Sequence, residues 1–248
     1  MTLPSPDELS RRKRMRRNAW HAMIAAAILF IAVDAGEAKS VAEALQADFP
    51  QIKSERISPS PMPGLYEIVT KNGILYYAPE SHLIIAGEMY GPGNRNLTQE
   101  RRLDMIKEKV KDIPLDKAFR IGTGPRKVIE ITNPDCGYCR KASAFLSARK
   151  DLSRFILFLP FSLQTENKIR HILCATDRAR AYEEAMAGKL QGDKLSLCNT
   201  QAVEEQIRAH KEIAKNLGVN ATPLFVVDGQ VLQGADMPAL ERLLGTTP

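Results

Sequence analysis

The sequence predicts a mixed α+β protein, with a small N-terminal antiparallel β domain, a linker helix and a larger C-terminal α/β domain. Three observations predict this class. Strand-like runs lie between residues 65 and 90, and the first two are separated by Asn72-Gly73, a pair that favours a β-hairpin. A charged helical stretch follows at 97–112. From residue 126 onward, strand, helix, strand, helices, hairpin and helix succeed one another, which is typical of a layered α/β domain.

Residues 1–38 have the layout of a signal peptide or a signal anchor. The stretch RRKRMRR at 11–17 carries six positive charges, and the apolar run AWHAMIAAAILFIAV follows at 19–33. A run of about 15 apolar residues suits a secretory signal, whereas a membrane-spanning helix usually needs about 20. Gly36-x-Ala38 and Val33-x-Ala35 offer small residues for cleavage. We therefore expect an exported protein; a buried amphipathic helix behind a charged tail is the remaining alternative.

The charge of the chain argues against a nucleic-acid partner. The formal net charge is +6, and a signal ending at Ala38 would remove six basic and four acidic residues. The remaining charge of about +4 is mild for a chain of this length, so no dedicated nucleic-acid surface is expected.

The N-terminal domain is predicted over residues 39–96. Its first element is a short helix around Val41, Ala44 and Leu45 that ends at Pro50, followed by a proline-rich stretch at 58–64. Its strands are predicted at 65–70, 74–79 and 82–90. A meander of about 50 residues buries little surface by itself, so we expect it to pair with another surface.

The linker is predicted over residues 97–120. Leu103, Ile106 and Val110 form one apolar stripe in an otherwise highly charged helix, a pattern that favours a solvated connecting helix over a core helix. Pro114 and the GTGP stretch at 122–125 end it.

The C-terminal domain is predicted over residues 121–248. Its predicted elements are a buried strand (127–132), a helix that starts at the first cysteine (from 136), a second strand (155–161), a long helical region (164–217), a hairpin (221–234) and a final amphipathic helix (237–245).

The four cysteines are Cys136, Cys139, Cys174 and Cys198. An even number of cysteines in an exported chain favours disulfides over metal binding. A structural zinc site usually needs two close pairs of ligands, and only one close pair is present. The histidines do not complete such a site, so no metal and no cofactor are expected.

The pair Cys136 and Cys139 is best explained as a redox dithiol. Cys136 lies where a turn leads into a helix, and a helix N-terminus stabilises the thiolate that attacks disulfides. Cys139, one turn later, would resolve the mixed disulfide. Gly137 and Tyr138 between them are expected to tune reduction. The alternative, a structural clip, is weaker because so short a ring removes little chain entropy.

Cys174 and Cys198 suit a structural disulfide. They are 24 positions apart, and closing such a loop stabilises a protein by about 3 kcal/mol in the chain-entropy model. Regulatory thiols are the alternative.

Two further features leave alternatives open. Glu130 lies in an apolar strand six residues before Cys136, on the same face as Val128. It is either a buried acid that accepts the proton of Cys139 or a carboxylate on an edge strand that faces water. Thr222-Pro223 precedes a late strand, and base rates favour a plain strand entry over a cis-proline turn.

These motifs together resemble the periplasmic disulfide isomerases of the DsbC/DsbG type, which have a thioredoxin fold. The resemblance is carried by CGYC at 136–139, LCATDRARAYEEAMAGK at 173–189 with the later Cys198, LGVNATPLFVVDGQVLQG at 217–234, and PGLYEIVTKNGILYYAPESHLIIAGEMY at 63–90. It covers roughly residues 40–245. A bare Cys-x-x-Cys is a weak signal, whereas this combination is highly specific.

The resemblance implies a V-shaped homodimer in which the N-terminal β domain is the dimerisation domain and each arm carries a thioredoxin-like catalytic domain with a helical insertion. It also implies a cis Pro223 against the Cys136 sulfur, a Thr222 backbone that binds substrate, and a second, structural disulfide. Glu130 departs from the family, where an apolar residue is expected, as does the segment at 159–166, which lacks the usual basic residue.

The expected function is isomerisation or reduction of incorrect disulfides in misfolded exported proteins in the periplasm, with a membrane electron donor of the DsbD type keeping the dithiol reduced. A chaperone that binds unfolded chains and a thiol oxidase are the competing hypotheses.

Overall fold

The computed structural model describes residues 40–190 and 195–245. The predicted signal at 1–38 lies outside the described residues. The chain divides into two compact units with the boundary between Gly87 and Glu88. No helix in the described part of the chain is long and apolar enough to cross a membrane.

The first unit contains a short helix, α1 (residues 40–48), and an antiparallel sheet. The strands described here pair in the order β1-β2-β3-β4, with bounds β1 (Ser54–Pro59), β2 (Tyr66–Thr70), β3 (Gly73–Ala78) and β4 (Leu83–Ile85). Val41 and Leu45 of α1 pack against Ile68 and Tyr77 of the sheet. The Tyr77 hydroxyl donates a 2.6 Å hydrogen bond to Asp48, which ties the end of α1 to β3.

The predicted hairpin is present, shifted by one residue. Thr70 pairs with Gly73, so the connecting residues are Lys71 and Asn72, and Gly73 begins β3 with φ +122°. Neither loop residue has a positive φ. The Thr70 hydroxyl accepts the Asn72 N–H and donates to the Gly73 carbonyl, closing the turn.

Strand β1 was missed by the sequence analysis, which placed only a helix and a proline-rich stretch there. Its sequence SERISP contains a single large apolar residue, Ile57, and most of the strand is exposed. Among the described strands, β1 lies at an edge of the sheet. An edge position tolerates Pro59, because proline has no N–H to donate to a second neighbouring strand. Register with β2, rather than hydrophobic pattern, makes this segment a strand.

The second unit has a mixed sheet with helices on both faces. Its strands are β5 (Tyr90–Gly91), β6 (Arg95–Asn96), β7 (Phe119–Ile121), β8 (Arg126–Thr132), β9 (Leu152–Phe158), β10 (Leu224–Val227) and β11 (Gln230–Gln233). Its helices are α2 (Leu97–Lys109), α3 (Gly137–Ser147), α4 (Leu163–Cys174), α5 (Arg178–Met186), α6 (Gln201–Leu217) and α7 (Met237–Leu244). The predicted α+β class is confirmed.

Among the described strands of this unit, five form the main sheet in the order β11-β10-β8-β9-β7, with β8 and β9 parallel and the other pairs antiparallel. Strand β8 therefore lies at the centre. Ile131 of β8 packs with α2 and α6, whereas Val128 packs with α3 and α7 on the opposite face. The strand β7 was missed, because FRI is too short to show a period.

Helix α2 was predicted to be a solvated connector, and this is wrong. Ile106 and the following Val110 are buried, and they pack against Ile213 and Leu217 of α6. The Lys109 ammonium also donates to the carbonyl of Asn216 at 2.9 Å. The narrow apolar stripe was visible in the sequence, but the groove that receives it is formed by residues about one hundred positions later.

His210 of α6 is a fully buried neutral histidine. Its Nδ1 accepts the backbone N–H of Phe158 at 3.2 Å, and its Nε2 lies 2.8 Å from the carbonyl of Lys117, to which it donates. Burial lowers the pKa of His210 to about 4, although the Lys117 carbonyl opposes the shift.

We predict that the free energy of unfolding decreases as the pH is lowered from about 6.5, the ordinary pKa of histidine, to about 4. Above this window His210 is neutral in both states and contributes no pH dependence. Within it the unfolded chain takes up a proton that the folded chain refuses, so up to about 3 kcal/mol is lost. Urea unfolding at pH 7 and pH 4.5 measures this loss.

The control is His210→Gln, which keeps a donor and an acceptor but does not titrate. The variant should lose less stability than the wild type between these two pH values. Equal losses would contradict the prediction.

Candidate active site

A tight turn after the central strand presents the two cysteines. Strand β8 ends at Thr132, and Asn133 then organises the turn: its side chain accepts the Asp135 N–H at 2.7 Å and donates to the Leu159 carbonyl at 3.0 Å. The Cys136 N–H donates to the Asn133 carbonyl at 3.1 Å. The sequence analysis missed Asn133, although Asn-Pro-Asp is a turn sequence that could have indicated it.

Cys136 occupies the N-cap position of α3, and the residue is partly exposed. Burial acts to raise the pKa of the Cys136 thiol. Hydrogen-bond donors outweigh it, namely the Cys139 backbone and thiol, the Thr222 hydroxyl and the Tyr138 N–H, so the pKa lies below the ordinary value. A nucleophilic thiolate is therefore favoured at this position.

Cys139 differs from Cys136 both in its burial and in the direction of its pKa shift. It lies one turn into α3, is 1% exposed, and packs in the same core cluster as Tyr182. Burial raises the pKa of Cys139 to about 11, even though donors from Thr222, Thr132 and Asn133 act to lower it. Cys139 is thus kept as a thiol out of contact with solvent, whereas the lowered pKa of the partly exposed Cys136 favours its thiolate.

The loop before β10 lies against Cys136. The Thr222–Pro223 peptide bond is cis, as the resemblance implies and contrary to the base-rate expectation. The Cys136 thiol donates a hydrogen bond to the Thr222 carbonyl at 3.5 Å. The Thr222 hydroxyl is buried and, among the described residues, has no partner while both cysteines are thiols. It is one of the donors that lower the pKa values of both sulfurs, so it is available to a thiolate.

Glu130 is buried on the central strand and paired with an arginine. It is 1% exposed, and its two oxygens accept hydrogen bonds from Arg154 of β9 at 2.5 and 2.9 Å. Arg154 also donates to the hydroxyls of Ser143 and Tyr182, at 3.2 and 3.1 Å. Tyr182 contributes its ring as well, since the Arg154 guanidinium lies 5.4 Å from the ring centroid.

The alternative in which Glu130 faces water from an edge strand is therefore wrong, because β8 has neighbours on both sides. The alternative in which Glu130 accepts the proton of Cys139 stays a prediction. Arg154 was not anticipated. Nothing in the sequence around it distinguishes a buried cation from a surface one.

Large apolar side chains surround this site and face solvent. Tyr138 is 69% exposed, Phe161 59% and Leu163 73%. Phe161 and Leu163 flank Ser162, the N-cap of α4, whose hydroxyl lies 2.9 Å from the Thr165 hydroxyl. Thr165 in turn donates to Asp135 at 2.7 Å, which places the start of α4 beside the cysteine turn.

A disulfide joins Cys174 at the end of α4 to Cys198, just before α6. The two Cα atoms are 5.8 Å apart, and both residues pack against the core cluster that contains Cys139. Within residues 40–190 and 195–245, no group of three or more His, Cys, Asp or Glu side chains is placed to hold a metal ion.

Comparison with known proteins matches both units. The model of the disulfide bond isomerase protein N-terminal domain matches residues 31–99, and that of the thioredoxin-like domain matches residues 117–245. Each of the two models therefore covers a different part of the chain.

Similar curated proteins share one description. The chain is 29% identical to the thiol:disulfide interchange protein DsbC of Salmonella typhimurium over 197 residues, covering 75% of this chain and 78% of that protein. It is 28% identical to the protein of the same name from Escherichia coli, covering 75% and 79%. A crystal structure of a disulfide interchange protein from Neisseria gonorrhoeae aligns with 24% identity and a TM-score of 0.46, covering 52% of this chain and 94% of that one.

Proposed function

Because the chain belongs to the thioredoxin-fold family of disulfide isomerases and is a thiol:disulfide oxidoreductase, we propose that it isomerises or reduces incorrect disulfides in misfolded exported proteins through Cys136 and Cys139. The observation that carries this proposal is that the two cysteines differ in exposure and have pKa shifts of opposite direction. Cys136 is accessible with a lowered pKa, and Cys139 is buried with a raised pKa.

The reaction begins at Cys136. Its thiolate attacks one sulfur of a substrate disulfide; that S–S bond breaks, a mixed disulfide forms, and the second substrate sulfur leaves as a thiolate. The departing thiolate takes up a proton from solvent.

The mixed disulfide then has two fates. If another substrate thiolate attacks it, a new substrate disulfide forms and Cys136 is released, so the substrate is isomerised with no net change in electrons. If Cys139 attacks, its proton is lost, Cys136 and Cys139 form a disulfide, and the substrate leaves with two additional electrons as a dithiol. The raised pKa of Cys139 disfavours the second route and leaves time for the first.

The neighbouring residues support these steps. Gly137 and Tyr138 separate the cysteines and set the geometry of their disulfide. The Thr222 carbonyl beside Cys136 is placed to pair with the backbone of an extended substrate, and Pro223 holds this loop against the sulfur. The exposed rings of Tyr138 and Phe161 offer apolar contacts to an unfolded segment, which supports a chaperone activity in addition to catalysis. Cys174–Cys198 is assigned a structural role.

The oxidised enzyme needs a source of electrons. An isomerase works only while its dithiol is reduced, so a membrane donor of the DsbD type is proposed as the reductant, and the periplasm as the compartment. The predicted signal at 1–38 and the disulfide between Cys174 and Cys198 both suit an oxidising compartment outside the cytoplasm.

A homodimer formed by the N-terminal unit is part of the proposal. Among the strands that the structure describes, β4 pairs with β3 alone and so lies at an edge of its sheet, and Leu83 and Ile85 on it are 59% and 49% exposed. An exposed apolar edge strand is a template for pairing with a second copy.

We predict that Ile85→Lys converts the dimer to a monomer, because a buried ammonium at the strand edge opposes pairing. Analytical ultracentrifugation measures the mass, and alkylation of Cys136 should proceed at the wild-type rate. Met62→Lys is the matched control, since Met62, at 55% exposed, is similar to Ile85 but lies outside the strands, in the turn before β2. If the Ile85→Lys protein is still a dimer, β4 does not form the dimer interface.

The thiol state in the cell separates the proposed enzyme from a thiol oxidase. Acid quenching followed by alkylation with a mass-tagged maleimide should find Cys136 and Cys139 mostly reduced and Cys174 and Cys198 oxidised. A mostly oxidised Cys136–Cys139 pair would favour the oxidase instead.

A further inference from the structure

A carboxylate stands directly before the attacking cysteine. Asp135 precedes Cys136 in the chain, and its side chain is 30% exposed. A negative charge this close to a thiolate disfavours ionisation unless it is balanced. The cations that balance Asp135 therefore bear on how readily Cys136 ionises, in addition to the hydrogen-bond donors described above.

Two elements neutralise Asp135 and hold it. From α4, the Thr165 hydroxyl donates to Oδ2 at 2.7 Å and the Lys168 ammonium donates to Oδ1. Lys168 is 8% exposed, so this ion pair is largely shielded from solvent. From α3, the Arg140 guanidinium lies 3.5 Å from Oδ1 and also donates to the Pro134 carbonyl at 2.7 Å.

This arrangement differs from a surface salt bridge in what it joins. Asp135 belongs to the turn whose backbone fixes Cys136, while Lys168 and Thr165 belong to α4, which follows β9 in the chain. A buried lysine is rare unless it is paired, and Asp135 supplies the opposite charge that compensates the burial of Lys168.

We propose that Asp135, held by Lys168 and Thr165, is a positioning residue that locks the Cys136 turn onto α4 and sets the balance of charge at the attacking sulfur. Two cations oppose one carboxylate, so the cluster carries a net positive charge beside Cys136. The inference rests on the proposed role of Cys136 as nucleophile.

The other charged side chains near the start of these helices do not disturb this balance. Lys141 of α3 is exposed to solvent. Glu166 of α4 is engaged by Arg170, at 3.4 Å, and by Lys211 of α6. The charges that respond to a change at Asp135 are therefore Lys168 and Arg140.

The test uses two variants whose effects differ in sign. Asp135→Asn keeps the shape and the Thr165 contact but leaves Lys168 and Arg140 unbalanced, so the thiolate is favoured. Lys168→Met keeps the length but leaves Asp135 less balanced, so the thiolate is disfavoured. The pH dependence of Cys136 alkylation should shift by about 0.5 unit downward for the first variant and about 0.5 unit upward for the second, each a threefold change in thiolate fraction.

A purely structural tie predicts a different pattern. Loosening the turn from either side would weaken the donors around Cys136 and shift both profiles upward. A downward shift in Asp135→Asn with an upward shift in Lys168→Met therefore supports the proposal, and any other combination overturns it. If Lys168→Met does not fold, Asp135→Asn decides by its sign, and Lys168→Arg, which keeps the charge, should match the wild type.

The controls separate this inference from the proposed function. Lys107→Met removes an exposed lysine that pairs with Asp104 on α2, and it should leave the profile unchanged. If wild-type Cys136 shows neither alkylation nor disulfide interchange, the proposed function fails. If the wild type reacts but Asp135→Asn does not shift the profile downward, only the role of Asp135 is overturned.

Discussion

Replacing Cys136 with Ala is expected to abolish both reduction and isomerisation of disulfides, lowering the rate by about a thousandfold or more, because no other described thiol can start the exchange. Cys139 is 1% exposed and its pKa is raised to about 11, so it cannot substitute as the attacking thiolate. Reactivation of a model protein with scrambled disulfides measures isomerisation, and reduction of insulin measures the net transfer of electrons.

Cys139→Ala is the matched variant, and its expected result differs. Attack by Cys136 remains, so mixed disulfides with substrate accumulate and are visible as a heavier band on a non-reducing gel. Isomerisation by a second substrate thiol continues, whereas insulin reduction is lost because the resolving sulfur is missing.

The same pair of variants tests the competing chaperone hypothesis. Suppression of aggregation of an unfolded cysteine-free protein should persist in Cys136→Ala, since the exposed side chains of Tyr138, Phe161 and Leu163 are unchanged. If scrambled substrate is still reactivated at the wild-type rate by Cys136→Ala, the enzymatic assignment of this dithiol is wrong.

The second large effect is expected at the buried ion pair. Arg154→Met should destabilise the second unit by about 3–5 kcal/mol, because it leaves the Glu130 carboxylate buried without a compensating charge. Glu130→Gln should cost a similar amount by leaving the guanidinium unbalanced. Both are measured as a lower free energy of unfolding in urea at pH 7.

The double variant Glu130→Leu with Arg154→Met tests the physical reason. Replacing both charges with apolar groups of similar size should recover most of the loss, because a buried pair contributes little net stability compared with apolar packing. Tyr182 and Ser143 lose a donor in this variant but keep the 3.4 Å hydrogen bond between their hydroxyls. A double variant as unstable as Arg154→Met would contradict this account.

The double variant also tests the prediction that Glu130 accepts the proton of Cys139 during catalysis. If Glu130 accepts the proton of Cys139, release of the mixed disulfide by Cys139 should slow even where stability is restored. An unchanged rate of release would assign the pair to stability alone. Both oxygens of Glu130 already accept hydrogen bonds from Arg154 in this structure.

Local patterns in the sequence were sufficient to predict the fold class and to single out Cys136 and Cys139 as the candidate reactive pair. Alternation and turn residues predicted the hairpin of β2 and β3 and the central strand β8, since these signals are local. Cys136 at the start of a helix was predictable because a strand, a turn and a helix follow one another within a few residues. The family followed from motifs spread over nearly the whole chain. Short or exposed elements such as β1 and β7 were missed, because they carry too few apolar residues to show a period.

The charged partners of Glu130 and Asp135, by contrast, became visible only in the folded structure. Arg154 lies 24 residues from Glu130, and Lys168 lies 33 residues from Asp135. No local pattern connects such pairs; they meet because β9 runs parallel to β8 and α4 returns to the cysteine turn. Electrostatic balance at a buried site depends on distances of a few ångströms between distant parts of the chain. For that reason the partner of Glu130 is identified only by the position of β9, which brings Arg154 against the carboxylate.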